Sequence, residues 1–241
     1  MNVRTLFTVE AIKLRSPKVR AILLINVAFN FVLLSSSQVF TINGEDASGL
    51  NSNFFYGTSS IFLVILFFQL WSDEFRYGIF RRTICDGVQR QDYFIARLFQ
   101  ICLVVLLFTV IQVAEFILMK AYHGELNTVS PVSLSLEALR FFVVQLFNGA
   151  LALMISVLMN GSSLAILTYL AIIGTSGLLV LYDKFTKALS GFSDYLPTRI
   201  ISLYADAKIE TYQTPVIAFY IMAFLLIPML KLYRQDIKVS I

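Results

Sequence analysis

The sequence predicts an all-α integral membrane protein with six transmembrane helices. An N-terminal amphipathic helix lies in the membrane interface, and a short cytosolic helix sits between the second and third spans. Three observations predict this. Hydrophobic residues make up 58% of the 241-residue chain and charged residues only 14%, far from the balance of a water-soluble domain. The apolar residues gather into runs close to the ~20 residues that a helix needs to cross ~30 Å of hydrocarbon. None of these runs alternates strictly as a barrel strand would, and no water is present at membrane depth to satisfy backbone groups, so helices are the economical solution. The 22 Phe suit lipid-facing positions and the 11 Tyr suit interfaces.

Residues 1–20 form the first element. Leu6, Val9, Ile12 and Leu14 alternate with Arg4, Glu10, Lys13 and Arg15 ahead of Ser16 and Pro17, which is the pattern of an interfacial helix ending at a break. A signal peptide is the rival reading, but the part before the apolar run is long and acidic, and no clear A-x-A site accompanies Ser35 to Ser37. Residues 21–241 then form one domain whose predicted spans are Ala21 to Phe40, Phe54 to Trp71, Phe99 to Met119, Phe141 to Met159, Ser163 to Tyr182 and Pro215 to Leu232. Asn160, Gly161 and Ser162 leave room only for a tight turn, so the fourth and fifth helices are antiparallel neighbours. Residues 183–214 are half apolar, with Tyr195, Leu196, Ile200, Ile201, Leu203 and Tyr204 around Pro197, and predict short helices tucked into the outer leaflet. No internal repeat suggests the inverted architecture of many secondary transporters.

Orientation follows from Lys and Arg. One set of alternate segments holds Arg4, Lys13, Arg15, Lys18 and Arg20, then Arg76, Arg81, Arg82, Arg90 and Arg97, then Lys231, Arg234 and Lys238. The other holds Lys120, Arg140, Lys184, Lys187, Arg199 and Lys208, and the loop from Thr41 to Asn53 holds none. Both termini and residues 72–98 are therefore expected in the cytosol, in a multi-pass protein of the cell's inner or plasma membrane. This distribution accounts for the net charge of +4 without a nucleic-acid surface. Cys85 and Cys102 are read as free thiols.

The segment from Trp71 to Arg97 mixes Asp73, Glu74, Asp86 and Asp92 and five arginines with Phe75, Ile79, Phe80 and Ile84. Gly87 suits the left-handed position that closes a short helix, and Asp92 is placed to cap the third span. The pattern predicts a helix from about Ile79 to Cys85 that projects its Phe80 and Ile84 side toward a partner or the lipid surface. A solvated positive-inside loop would account for the arginines but not for the apolar residues among them.

Polar residues inside the spans are Asn26 and Asn30, Gln112 and Glu115, and Gln145 and Asn148. Asn26 and Asn30 share one helix face, as do Gln112 and Glu115. Two readings stand side by side. The six residues line a translocation path, or the amides bridge helices while Glu115, five residues before Lys120, is solvated or paired near the outer interface. His123 is the only histidine, no group of His, Cys, Asp and Glu has metal-ligand spacing, and no G-x-x-x-x-G-K-[ST] loop occurs. No catalytic, metal or cofactor residue is assigned, and any energy source is expected on another polypeptide.

The chain resembles the permease subunits of ABC transporters of the ABC-2 type, a six-helix exporter class, over nearly its whole length. The pattern E-x-x-x-G-x-x-R-x-x-x-x-x-G-x-x-R-x-x-x-x-x-A-[KR] is met by Glu74, Gly78, Arg81, Gly87, Arg90, Ala96 and Arg97. VEAIKLRSPKVRAILL is similar to the family's connecting or elbow helix, and DYLPTRIISL to the Leu-Pro step of its external re-entrant region. The family usually has Thr or Ser after the first glycine, where this chain has Ile79. The resemblance implies a homodimer or heterodimer of permease subunits, each bound to an ABC ATPase subunit that holds the ATP and magnesium. It also makes residues 72–98 a coupling segment, with Glu74, Gly78, Phe80, Arg81, Ile84, Gly87 and Arg90 at the ATPase. The implied function is export of a hydrophobic or amphiphilic substrate by a chain that is not itself an enzyme. The alternatives are an intramembrane enzyme acting on lipid or peptide with Glu115 as its acid, and an ATP-independent channel or scaffold.

Overall fold

The computed structural model describes residues 8, 12–36, 47–76, 78–122, 124, 129–159, 162–186, 193–205 and 213–234. Every regular element among them is helical: α1 (Pro17–Ser36), α2 (Ala47–Arg76), α3 (Ile79–Cys85), α4 (Arg90–Tyr122), α5 (Pro131–Met159), α6 (Ser162–Thr186), a 3-10 turn at Ser193–Tyr195, α7 (Pro197–Ala205) and α8 (Thr214–Arg234). Three of them, α4, α5 and α8, are long and apolar enough to cross a membrane. Shorter apolar stretches occur at Gly57–Trp71 in α2 and Ser163–Leu179 in α6.

Several helices run past the expected spans, because hydropathy stops at the first polar residues while backbone hydrogen bonding continues. The clearest case is α5, which starts at Pro131 and not near Phe141. Ser130 and Ser133 cap it reciprocally: Ser133 N–H donates to Ser130 Oγ at 3.1 Å and Ser130 N–H to Ser133 Oγ at 3.0 Å. Pro131 takes the first helical position, where its missing N–H costs nothing. The expected break before the first span is present, since the chain turns at Leu14 and Arg15 and α1 begins at Pro17, with Val19 N–H reaching Ser16 Oγ at 3.4 Å. Residues 1–7 and 9–11 of the interfacial helix expected over 1–20, and the 37–40 end of the first span, lie outside the described residues.

The core is organised around α5. This helix carries no charge between Phe141 and Met159 and is apolar nearly all round, the composition of a helix surrounded by others. It packs against α2, α4 and α8. Gly149 allows a close approach, because a Cβ there would stand 3.0 Å from the Phe67 ring of α2 and 3.3 Å from Ile101 of α4. By contrast, among its described side chains, α1 buries a narrow stripe of Val19, Asn26 and Asn30 and exposes Leu24, Ile25, Phe31 and Val32.

Paired side chains give the helix directions. Asn30 with Ser59 and Phe29 with Phe62 make α1 and α2 antiparallel, and Trp71 with Gln100 and Glu74 with Arg97 do the same for α2 and α4. Phe147 with Phe224 and Val157 with Lys231 make α5 and α8 parallel. One end of the bundle therefore collects Lys13, Glu74, α3, Arg90 and the C-termini of α5 and α8.

At the opposite end the chain after α6 folds back as the 3-10 turn and α7, so short helices do occur between 183 and 214. Pro197 opens α7, and Ile200 and Ile201 are buried. Tyr220 donates its hydroxyl to the Tyr195 carbonyl at 2.9 Å, and Thr198 Oγ1 meets Ser176 Oγ of α6 at 2.5 Å. Residues 187–192 and 206–212 of this expected segment, and the turn residues Asn160 and Gly161, lie outside the described residues.

Candidate functional site

Seven residues are too few for a stable isolated helix, so α3 has to be held at both ends and along one side. Gly78, at φ +66°, admits the chain in a left-handed conformation that Cβ-bearing residues avoid, and its carbonyl accepts from Arg82 N–H at 3.0 Å. No side chain caps this start. Ile79 is simply its first residue, so the absent hydroxyl is replaced by backbone geometry. At the other end Gly87, at φ +90°, donates to the Ile84 carbonyl at 3.0 Å, and Val88 donates to the Thr83 carbonyl at 3.3 Å. These two bonds are the Schellman pair, and Val88, which completes it, is buried in the core.

The face of α3 corrects one expectation. Phe80 and Ile84 do not project outward: Phe80 is 3% exposed and meets the Tyr93 ring of α4 edge-on at 4.9 Å, and Ile84 is half-buried against the core. A short helix gains its stability from its own bundle first, and the apolar side is what it spends there. The outward side carries Ile79, Arg82 and Cys85, with Ile79 42% exposed. Cys85 and Cys102 are both free and exposed. The Arg81 side chain lies outside the described residues.

Behind α3 lies a buried charge cluster. Glu74, at the end of α2, is 4% exposed and accepts from Lys13 Nζ at 2.5 Å, from Tyr93 Oη at 2.8 Å and from Arg97 Nη2. Arg97 also donates Nη1 to Gln100 Oε1 at 2.7 Å, and Trp71 Nε1 donates to the same oxygen at 2.6 Å. The guanidinium lies 4.7 Å from the Tyr93 ring centroid, a cation–π arrangement. Burial pushes the Glu74 carboxyl up, but the charges of Arg97 and Lys13 and the hydrogen bonds from Lys13 and Tyr93 together hold the group below its ordinary value. Glu74 thus acts from inside, joining the N-terminal segment, α2 and α4.

Arg90 is likewise inward-acting. Its Nη1 donates to the carbonyls of Leu232 at 3.1 Å and of Tyr233, closing the C-terminus of α8. Lys231 in turn donates to the carbonyls of Val157 at 2.7 Å and Leu158 at 3.1 Å, closing α5. Cations at helix C-termini match both the orphan carbonyls and the helix dipole. Asp92 does not cap α4 as expected. That helix begins at Arg90, and Asp92 sits within the first turn, where its charge still favours the dipole.

A second polar group runs through the bundle. Asn30 donates to Ser59 Oγ at 3.0 Å and to Glu115 Oε2 at 2.9 Å, and accepts from Thr58 Oγ1 at 2.9 Å. Gln145 donates to Gln112 Oε1 at 3.0 Å; Asn148 donates to Ser60 Oγ at 3.2 Å and accepts from Tyr169 Oη at 3.4 Å. Asn26 is fully buried, and neither of its amide atoms has a partner. Of the six residues singled out in the sequence, all but Asn26 bridge helices within one chain, and Asn26, Asn30, Gln112, Gln145 and Asn148 are buried away from its surface. Glu115 is partnered by Asn30 of α1, not by Lys120.

Lys13, Tyr93, Gln100, Trp71 and Lys231 were missed as site residues. Lys13 joins Glu74 across 61 positions of sequence, which no local pattern announces. The spacing of Tyr93, Arg97 and Gln100 along one face of α4 was a readable signal. No protein-family model matches this chain, and no curated protein matches it.

Proposed function

We propose that this chain is the membrane-spanning permease subunit of an ATP-driven ABC exporter of the ABC-2 type. It would pass a hydrophobic or amphiphilic substrate and draw its energy from a separate ATPase subunit. The observation that supports this best is α3, a short helix between two left-handed glycines at the end of an all-helical bundle where basic residues collect. The family-like pattern from Glu74 to Arg97 runs directly through it. In this reading α1, α2, α4, α5, α6 and α8 are the six spans, the end holding α3 faces the cytosol, and a second permease subunit, identical or different, completes the path.

Since Phe80 and Ile84 face inward, the docking face is Ile79, Arg82 and Cys85. Movement of α3 would pass to α4 through the Phe80–Tyr93 contact and to α8 through Arg90, so closure of two ATPase subunits would shift helices as rigid bodies. Co-expression with the P-loop ATPase encoded beside it tests the reading. The two chains should co-purify, and Ile79→Asp combined with Arg82→Glu should weaken association by at least about tenfold with an unchanged elution profile. Undiminished association of that variant would remove α3 as the docking element.

A further inference from the structure

A side-chain amide shut away from water is costly unless its donor and acceptor are both met. Asn26 of α1 is fully buried, and among the described residues neither its Nδ2 nor its Oδ1 has a partner. The same mismatch occurs in a pair of glutamines. Gln145 donates to Gln112 Oε1 at 3.0 Å, which leaves Gln112 Nε2 an unmatched donor and Gln145 Oε1 an unmatched acceptor. Both side chains are buried. Exchanging amide O and N does not remove the mismatch: turning Asn26 swaps its two unmatched atoms, and turning both glutamines still leaves one donor and one acceptor over.

Helix register brings these groups to one level. Helices α1 and α4 each run antiparallel to α2, so they are parallel to each other, and Asn30 joins them by donating to Glu115 Oε2 at 2.9 Å. One turn back from that bond, on the same helix faces, stand Asn26 of α1 and Gln112 of α4. Helix α2 offers Asn26 no polar partner at this level, because the turn beyond Ser59 carries Phe62 and Leu63. Asn26 and the Gln112–Gln145 pair therefore share a level without bonding directly, and each side of the gap holds one unmatched donor and one unmatched acceptor. Glu115 Oε1 is a further unmatched acceptor one turn away. A cation would leave Asn26 Nδ2 and Gln112 Nε2 unmet, and an anion would face Asn26 Oδ1 and Gln145 Oε1. Water both donates and accepts, and buried water settles where two to four such groups converge.

We propose that Asn26, Gln112 and Gln145 form an internal water-binding site between α1, α4 and α5. The bound water accepts from an amide N–H on one side of the gap and donates to an amide oxygen on the other. It thereby gives α1 a second polar link to α4 beside the Asn30–Glu115 bond. The site is internal to one chain and stands independently of the permease reading.

Nuclear Overhauser spectroscopy of the full chain in detergent micelles, with asparagine and glutamine labelled with nitrogen-15, tests it. The expected result is a cross-peak with water at the side-chain amide protons of both Asn26 and Gln112 in the wild type. Absence of the water cross-peak at either amide overturns the shared site, as does a direct cross-peak between the two amides in its place. Replacing Gln112 by Leu should remove the Asn26 water cross-peak, and an unchanged peak overturns the sharing. Stability gives a second readout with an opposite sign for the two cases. A hydrated Asn26 loses its hydrogen bonds in Asn26→Leu, so the folding equilibrium constant should fall by about fivefold or more, whereas an unmet amide would be relieved by the same change. An unchanged or raised constant overturns the proposal.

Discussion

Replacing Glu74 by Gln probes the buried cluster with little change of shape. The side chains of Arg97 and Glu74 are 2% and 5% exposed, so neutralising Glu74 strands a guanidinium away from water, a cost of about 3–5 kcal/mol. Lys13 is 33% exposed and adds at most about 1 kcal/mol, because solvent screens it. Tyr93 retains the glutamine oxygen as an acceptor, and Gln100 still binds Trp71, so neither adds a large further loss. The expectation is therefore a destabilisation of about 3–5 kcal/mol for Glu74→Gln. The double variant Glu74→Met, Arg97→Met removes both charges and should return to within about 1 kcal/mol of the wild type. Equilibrium unfolding in mixed micelles measures this, and Trp71 reports on it directly. Trp71 is the only tryptophan, is fully buried, and stacks on Phe67 at 4.3 Å beside the cluster. A loss below about 1 kcal/mol for Glu74→Gln, or a double variant weaker than the single, would refute the view that charge pairing holds this end together. The pH dependence has a definite sign. The folded-state carboxyl is held below its ordinary value, so its stabilisation is present above the unfolded carboxyl range and fades as pH falls through the lowered value. The wild type should lose stability below about pH 4 by a step that Glu74→Gln lacks.

Three further outcomes follow from the packing. Arg90→Ala should cost about 1–2 kcal/mol by opening the C-terminus of α8, and protection of the last amides of α8 in hydrogen exchange should fall while that of α5 stays. Gly149→Ala should cost about 1–3 kcal/mol, because the added Cβ meets Phe67 and Ile101 and the Phe67 ring is backed by Trp71; the unfolding titration reads it, and a neutral result would show that α2 yields. Gly87→Ala should cost about 1–2 kcal/mol from its positive φ alone, and Gly87→Asn less, as the same titration would show.

Much of the local structure was legible. The limits of α3 and the left-handed closure at Gly87 follow from short-range chemistry, since a glycine after a run of helix formers is the cheapest residue at φ > 0. The start of α5 was legible too, but through Ser130, Pro131 and Ser133 and not through hydropathy. What could not be read was the direction in which Phe80 and Ile84 point. An apolar stripe among arginines reads the same whether a partner or the chain's own α4 covers it, and only the placement of Tyr93 beneath Phe80 decides between them.

Composition and periodicity alone determined an all-helical chain with apolar helices of membrane-crossing length, because burial of apolar surface and satisfaction of backbone groups depend on residue type and local order. The tertiary structure decided which helices lie at the centre and which polar residues meet. Lys13 reaches Glu74, Asn30 reaches Glu115 and Arg90 reaches the end of α8 across 61, 85 and 142 positions, and contacts so distant depend on where helices cross, which no sequence window contains.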